Sequence, residues 1–490
     1  MLYEGLVRLK PDGSTEPALA NSYEISEDGR IYEFTLREAY WSNGDPICAK
    51  DIEISWKRAL DPLFANPFRH LFFVILNGEK AAKEKCSISE VGVSALSSKK
   101  LRVTLENPSP HFLALISLCN FFPVPPAFET KTFSDPSELP VSGPFRILSW
   151  KKRQLLSLRK NHLYWDKNNV VLDEFMIYIC NNPYSTMQMF NEGEIDFLSS
   201  ILCSLPPECL QQYVTQGLGR LIPMGGTVFC SFNTTVFPFH NQNIRSAFTL
   251  AINRQELLRD INSFETPAKQ FLPPPLAQGS SPHRCVYNPE LALQRLHLGM
   301  QELGVFSNEE KDQLKVRLFF ENLTLCFEHS VPRTKLAHAL QKQWSQTLKI
   351  HIKLEGLPYQ LHLQKLLSGT YSFAIECWLA QYMDPLDILD RFTSKTVVKN
   401  IPRFEHSEYS AAVESVKKAI HPPSRLQWIA RAEEILFQEA PITPLYHYDH
   451  VLIARPSVSG ISHLPNGGLR FSNCNPTNVA NPYEKLVQVH

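Results

Sequence analysis

Leu314-Lys-Val-Arg-Leu-Phe-Phe320, Lys335-Leu-Ala-His-Ala-Leu-Gln-Lys-Gln-Trp344 and Ile350-His-Ile-Lys-Leu-Glu355 together decide the fold class. In the last of these, Ile350, Ile352 and Leu354 alternate with His351, Lys353 and Glu355, the period of two expected for a half-buried strand. The first is apolar enough for a strand, and the segment between them reads as a helix. Strand, helix and strand at this spacing make a βαβ unit, whose two strands run parallel. The second half of the chain is therefore expected to hold an α/β domain with a mostly parallel sheet.

Working back toward the N-terminus, Asn243 to Ile261 reads as one helix, with Ile244, Ala247, Phe248, Ala251 and Ile252 on one stripe. From 142 to 226 strands and helices alternate, and Phe175-Met-Ile-Tyr-Ile179 is apolar throughout, as in a strand covered on both faces. The stretch 106–144 holds eight prolines, a density that suits a wrapping connection and marks a domain boundary. Before it, Tyr32, Phe34 and Leu36 alternate with Glu33, Thr35 and Arg37, and Leu101, Val103 and Leu105 with Arg102, Thr104 and Glu106. Between these strands, Asp51 to Leu60 reads as a helix stopped by Asp61-Pro62. Toward the C-terminus, Ser424 followed by Gln427 predicts a capped helix through Phe437.

Composition limits what such a chain can do. Its 490 residues carry 49 Lys+Arg and 49 Asp+Glu, so no net charge draws it to nucleic acid or to an anionic membrane. Apolar residues make up 43% and charged residues 20%, the balance of a globular protein with room for two to four domains. Phe112 to Phe122 is the most apolar stretch, and it is too short and too interrupted by Ser117 and Asn120 to span a bilayer. The first residues show neither the basic nor the apolar region of an export signal. Eleven cysteines form no CxxC, which removes thioredoxin and zinc-ribbon chemistry, and most are expected to be buried.

Catalytic signatures are fragmentary. No Walker A loop, HExxH or complete GxSxG occurs. Gly92-Val-Ser94-Ala-Leu96 lacks the last glycine of a nucleophile elbow and reads as a surface turn. His447 and His450 are three apart, a metal-ligand spacing on a helix. Their flanks are strand-like, however, and alternation would send the rings to opposite faces. Asp384, Asp387 and Asp390 recur every third residue around Pro385, where acids complement the dipole of a helix start or one of them contacts a ligand. No catalytic residue, metal or cofactor is expected.

A dense series of short matches adds to this reading. Tyr3-Glu-Gly-Leu6, Asp12-Gly13, Pro17-Ala-Leu-Ala20, Ser26-Glu-Asp-Gly29, Phe34-Thr-Leu-Arg37, Trp41-Ser-Asn-Gly44 and Ser55-Trp-Lys-Arg-Ala-Leu-Asp-Pro62 come in order. Ser142-Gly-Pro-Phe145, Asn161, Tyr164-Trp-Asp166, Glu192-Gly-Glu-Ile-Asp196, Asn241, Ile244-Arg245, Ala247, Ala251-Ile252 and Arg254 follow. Over essentially its whole length the chain resembles the family 5 extracellular solute-binding proteins, the oligopeptide- and dipeptide-binding subunits of ABC importers. The resemblance implies an α/β, bilobed, periplasmic-binding-protein-like fold with an extra N-terminal α+β domain. It places that domain at 4–141, lobe I at 142–226 plus 451–490, and lobe II at 227–450, with a hinge at Gly225, Gly226 and Asp449. It further implies a monomer, without enzymatic activity, that holds a small peptide or a related small solute between its lobes and passes it to membrane permease subunits from the periplasm or cell envelope.

By the same resemblance the ligand meets Cys377, Trp378, Leu379, Gln381, Tyr382, Asp384 and Arg333, with the peptide added as a strand along 377–379. Two departures from the family pattern stand out. Relatives carry an export signal, a first strand and a loop ahead of the segment matching Tyr3-Glu4-Gly5, so a shortened chain or a reduced site is expected. And where relatives pair an Asp with the peptide's α-ammonium, this chain has Gln381, so Gln381→Asp is expected to strengthen the binding of free-amine peptides. Either Glu376, Asp384 or Asp387 supplies the acid instead, Asp384 being placed best, or the ligand is not a free-amine peptide. Two other classes remain open: a degenerate homologue acting as an interaction protein, and a hydrolase with a cryptic site.

Overall fold

The computed structural model describes residues 1–129, 135–200, 202, 203, 205–277, 285–305, 319–476 and 485–488. Two compact units emerge: Met1–Ile222 with Tyr382–Asp384 and His450–His490, and Pro223–Gln381 with Pro385–Asp449. Two strands, Gly219–Phe232 and Ile442–Ala454, run through the boundaries at 222/223 and 449/450.

In the first unit a four-stranded antiparallel sheet is ordered Ala20–Ile25, Ile31–Leu36, Lys100–Thr104, Val93–Ala95. The alternation of Tyr32, Phe34 and Leu36 is realised as buried residues facing Leu101 and Val103. Helix Ala49–Leu60 lays Ile52, Trp56 and Leu60 on this core, with the Trp56 ring edge-on to Phe121 at 5.3 Å. Its start is fixed by the Asp51 carboxylate, which accepts from the Cys48 backbone N–H at 3.0 Å. Gly92–Leu96 is not a turn: Val93–Ala95 is a strand at the edge of the sheet, its register set by Val93 opposite Val103.

The same unit holds a second sheet. The hairpin Phe145–Lys151 with Leu155–Lys160 leads to Glu174–Ile179, then to Lys485–Gln488 and Phe197–Ser199. Phe175 and Ile177 are buried, while Met176, Tyr178 and Ile179 are half-exposed, so this strand is covered on one face more than the other.

The second unit is built on the predicted βαβ pattern, displaced by one strand. Thr324–Glu328, helix Val331–Leu348 and Lys353–Leu357 form the parallel crossover. The strand predicted at Leu314–Phe320 lies outside the described residues through 318, and Phe319 and Phe320 belong to a helical turn. The sheet runs Lys353–Leu357, Thr324–Glu328, Phe373–Leu379, Gly219–Phe232, Ile442–Ala454. Its first three strands are parallel, but Phe373–Leu379 meets Gly219–Phe232 antiparallel. The sheet is mixed rather than mostly parallel, because the chain leaves the one strand at Phe232 and enters the other opposite it at Phe373, so the long connection between them joins the strands at one end of the sheet instead of crossing over.

Helices 242–250 and 254–260 replace the single helix predicted from Asn243 to Ile261. Asn253 interrupts it: its side chain caps the second helix through Glu256 N at 3.2 Å, and its backbone N–H and C=O are clasped by the buried Gln343 amide at 2.9 and 3.1 Å. The last long helix begins at Pro422, two residues before the predicted Ser424 cap, because proline at the first helical positions needs no N–H partner. A core of Phe232, Phe239, Phe248, Trp344 and Phe373 binds these helices to one face of the sheet, and Trp344 Nε1 donates to Phe248 O at 2.9 Å. Four of the eleven cysteines are buried, fewer than predicted, since several lie at strand ends and helix starts.

Candidate functional site

The predicted ligand strand, Phe373–Leu379, is central in its unit and only partly paired. Gly219–Phe232 lies along one edge for its full length, from Gly226 opposite Leu379 to Phe232 opposite Phe373. On the other edge Thr324–Glu328 pairs only at Phe373 and Ala374. From Ile375 to Leu379 no strand of the described residues occupies that edge, so backbone N–H and C=O groups there are available for pairing. Cys377 and Leu379 are exposed.

Trp378 turns inward. It is buried, its ring 4.3 Å from Phe229 and 6.0 Å from Phe392. It is thus a packing residue by its side chain, while its backbone stays on the strand. Gly226 must be glycine for a steric reason: a Cβ would lie 2.7 Å from Tyr448 Cδ2 and 3.0 Å from Trp378 O. Neither Gly225 nor Gly226 has a positive φ; both are extended residues within a strand.

Beyond the strand, Ala380 N donates to Gly225 O at 2.8 Å, and Gln381 N donates to Asp387 Oδ2 at 3.0 Å. That same oxygen accepts from Arg391 Nη2 at 2.9 Å, and Arg391 Nε donates to Asp387 O at 2.8 Å. Asp387 sits in the first turn of the short helix Leu386–Leu389, close to the predicted start at Pro385. The Gln381 side chain accepts, through Oε1, from Lys399 Nζ at 3.3 Å. Burial, and next the charge of Arg391, pull the Lys399 ammonium below its ordinary pKa.

Tyr382 and Asp384 belong to the first unit, where the Tyr382 ring stacks on His111 at 5.5 Å. Asp384 is buried, and its N–H donates to Tyr382 O at 2.9 Å. Asp390 pairs with Lys417 at 2.7 Å. The three acids at spacing three therefore have three separate environments.

Arg333 stands in the first turn of helix Val331–Leu348, with its N–H on the Ser330 cap. Nη2 donates to Tyr448 OH at 3.2 Å, and Nη1 is buried without a partner among the described residues. Cys377, Tyr446 and Glu376 lie within its electrostatic reach. Glu376 itself is bonded to His362 Nε2 at 2.6 Å on the opposite face.

His447 and His450 do not converge. His447 Nδ1 shares a hydrogen bond with Thr227 Oγ1 at 2.9 Å, and His450 Nε2 with Ser199 Oγ at 2.8 Å. Among the described residues no three His, Cys, Asp or Glu side chains are grouped to hold a metal ion. Asp449 accepts from Thr266 Oγ1 at 2.6 Å, while Glu265 accepts from the Asp449 backbone N–H.

Sequence reading passed over Lys399, Arg391 and Tyr448. The i, i+4 spacing of Asp387 and Arg391 was available as a signal. Lys399, 18 residues from Gln381, offered none.

An α/β chain with a strand edge left open beside a cluster of donors has the features of a binding protein. Residues 14–400 match the bacterial extracellular solute-binding proteins, family 5 Middle, and the chain belongs to that family, whose members bind solutes without catalysis. It is 28% identical over 480 residues to the oligopeptide-binding protein OppA of Bacillus subtilis, covering 96% of this chain and 86% of the relative. To the dipeptide-binding protein DppE of the same organism it is 30% identical over 478 residues, covering 95% and 85%. The solved structure of the periplasmic murein tripeptide binding protein MppA in its unliganded open form superposes with a TM-score of 0.82 at 26% identity, covering 97% of this chain and 91% of that one.

Proposed function

We propose that this chain is the substrate-binding subunit of an ABC importer: outside the cytoplasmic membrane, as a monomer, it captures peptides and hands them to permease subunits. The observation that carries this reading is the open edge of strand 373–379 at Ile375–Leu379. A peptide laid there as an added strand gains main-chain hydrogen bonds whatever its side chains are. Full-length similarity to proteins named for oligopeptide and dipeptide binding supports the same ligand class.

Cys377, Trp378 and Leu379 would contribute backbone, and Arg333 its unmet Nη1 donor, to such a ligand. Gln381, Tyr382 and Asp384 complete the proposed contacts. The division into an extra domain at 4–141 and lobes at 142–226 plus 451–490 and 227–450, hinged at Gly225, Gly226 and Asp449, belongs to this proposal too. The test is thermal shift and calorimetry with a defined peptide library, with the peptides recovered afterwards. A peptide held at 100 times its Kd should add about 2.7 kcal/mol of stability. Recovered peptides should be intact. Binding of none of them would refute the reading, and cleavage would turn it into a hydrolase.

A further inference from the structure

We infer that loop 61–68, Asp-Pro-Leu-Phe-Ala-Asn-Pro-Phe, is a lipid-contact site that inserts Leu63, Phe64 and Phe68 into the headgroup boundary of an anionic membrane. The inference concerns the first unit alone and does not depend on the peptide reading. Leu63 is 93% exposed, and Phe64 and Phe68 are exposed at 40% and 42%, all three on one short loop. Single apolar residues scattered over a surface need no explanation, but three grouped at one tip do.

The loop is built to hold them there. It follows helix Ala49–Leu60, and Pro62 and Pro67 restrict its backbone and bring no N–H. Arg69 Nη2 lies 2.9, 3.3 and 2.6 Å from the carbonyl oxygens of Asp61, Pro62 and Phe64. Asn66 Nδ2 donates to Ala59 O at 3.0 Å. Leu63 N donates to Asp61 Oδ1 at 2.9 Å, Phe64 N to Asp61 O at 3.0 Å and Phe68 N to Asn66 Oδ1 at 3.0 Å. The N–H beside each apolar side chain is thus already bonded within the loop, as a tip that leaves water requires. Because these bonds order the tip beforehand, little conformational entropy is lost on insertion.

Charge selects the surface. From Arg58 to His70 the sequence has two arginines and one carboxylate, Asp61, whose Oδ1 is turned to the Leu63 N–H. Arg58 lies over the Phe64 ring at 4.8 Å, and among the described residues neither it nor Arg69 pairs with a carboxylate. Lys57, by contrast, is taken by Glu53 at 2.9 Å. A chain of zero net charge has no overall pull toward anionic lipid, but these two cations give this loop a local one. Three side chains on one protruding loop fall short of the ~800 Å² that a stable protein partner buries on each side. An interfacial anchor needs only a few apolar side chains flanked by cations.

The full chain is centrifuged with vesicles of phosphatidylcholine, alone or mixed with phosphatidylglycerol, as wild type, Leu63→Ser, Phe64→Ser and Arg58→Gln. Wild type is expected on the mixed vesicles, with partition lowered about tenfold by Leu63→Ser and about fivefold by Arg58→Gln. The Tm of Leu63→Ser should match the wild type, since the side chain it replaces is exposed. Leu63→Trp should add emission that shifts to the blue with mixed vesicles, a change the wild type lacks. Wild type left in solution with both vesicle types overturns the inference, as does partition that Leu63→Ser and Phe64→Ser leave unchanged. Equal partition onto the two compositions overturns the selection by charge. A dimer that Leu63→Ser disperses, without vesicle binding, would assign the loop to a second copy and overturns it as well.

Discussion

At Gln381 a single side chain changes what its neighbours mean. The Lys399 ammonium bonds the Gln381 amide oxygen at 3.3 Å, and the carboxylate of an aspartate there, one methylene shorter, would lie close to the same charge. Gln381→Asp alone should therefore change free-amine peptide affinity by less than about twofold, because the new charge is taken up by Lys399. Gln381→Asp with Lys399→Gln frees that charge for the ligand and should raise free-amine affinity about fivefold. Calorimetry on both variants decides between a lysine that masks the site and one that is a bystander. Gly226 makes a second residue-scale case. Because a Cβ would come 2.7 Å from Tyr448, Gly226→Ala forces the ring or strand aside and should cost about 1–3 kcal/mol in a denaturant titration. An unchanged midpoint would mean that the two strands part freely at this point.

Among the elements, strand 373–379 bears two demands with one backbone. Phe373 and Ile375 are buried on one face and Trp378 on the other, and its far end keeps an open edge. Trp378→Ala should destabilise the protein by about 3–5 kcal/mol, the cost of a large buried ring, since Trp378 packs on Phe229 and Phe392. If peptide affinity is retained under conditions where the variant stays folded, affinity comes from the strand's backbone. A proportionate loss of affinity would mean that the ring reaches the ligand. The elements also show what was legible beforehand. The strands at 31–36 and 100–104 and the helix at 49–60 were readable because each buries one face with a regular period. The break at Asn253 was not, because the clasp that stops the helix comes from Gln343, 90 residues away.

For the molecule as a whole, buried ionisable groups around strand 442–454 set the pH dependence of stability. Burial, with Arg254 second, lowers the pKa of His447 from 6.5 to about 4. Burial and then His463 take His450 to about 3, and burial and then Arg220 take His463 to about 4. Burial raises Glu265 from 4.5 to about 8, and raises Asp449 as well. Below pH 6.5 the unfolded chain gains protons that the buried imidazoles refuse, so stability falls with acid. A carboxyl with a raised pKa acts oppositely: its contribution is present below 4.5 and is lost as pH rises through 8. Within this set, three imidazoles outweigh the acids between 4.5 and 6.5, while above 6.5 only the acids still titrate. Stability should therefore peak near pH ~6.5, with Tm lower by roughly 5 °C or more at pH 4.5. Glu265→Gln should flatten the alkaline limb. A monotonic pH profile would mean that these groups are hydrated in the native state. The sequence by itself determined the α/β class, the period of each regular element and the family, because these depend on the order of apolar residues and on short local motifs. Only the tertiary structure decided that the sheet is mixed, that strand 373–379 leaves an edge open, that Trp378 is buried against Phe229 and Phe392, and that Gln381 meets Lys399. Strand neighbours and side-chain partners are chosen by packing between residues far apart in the chain, where local propensity carries no information.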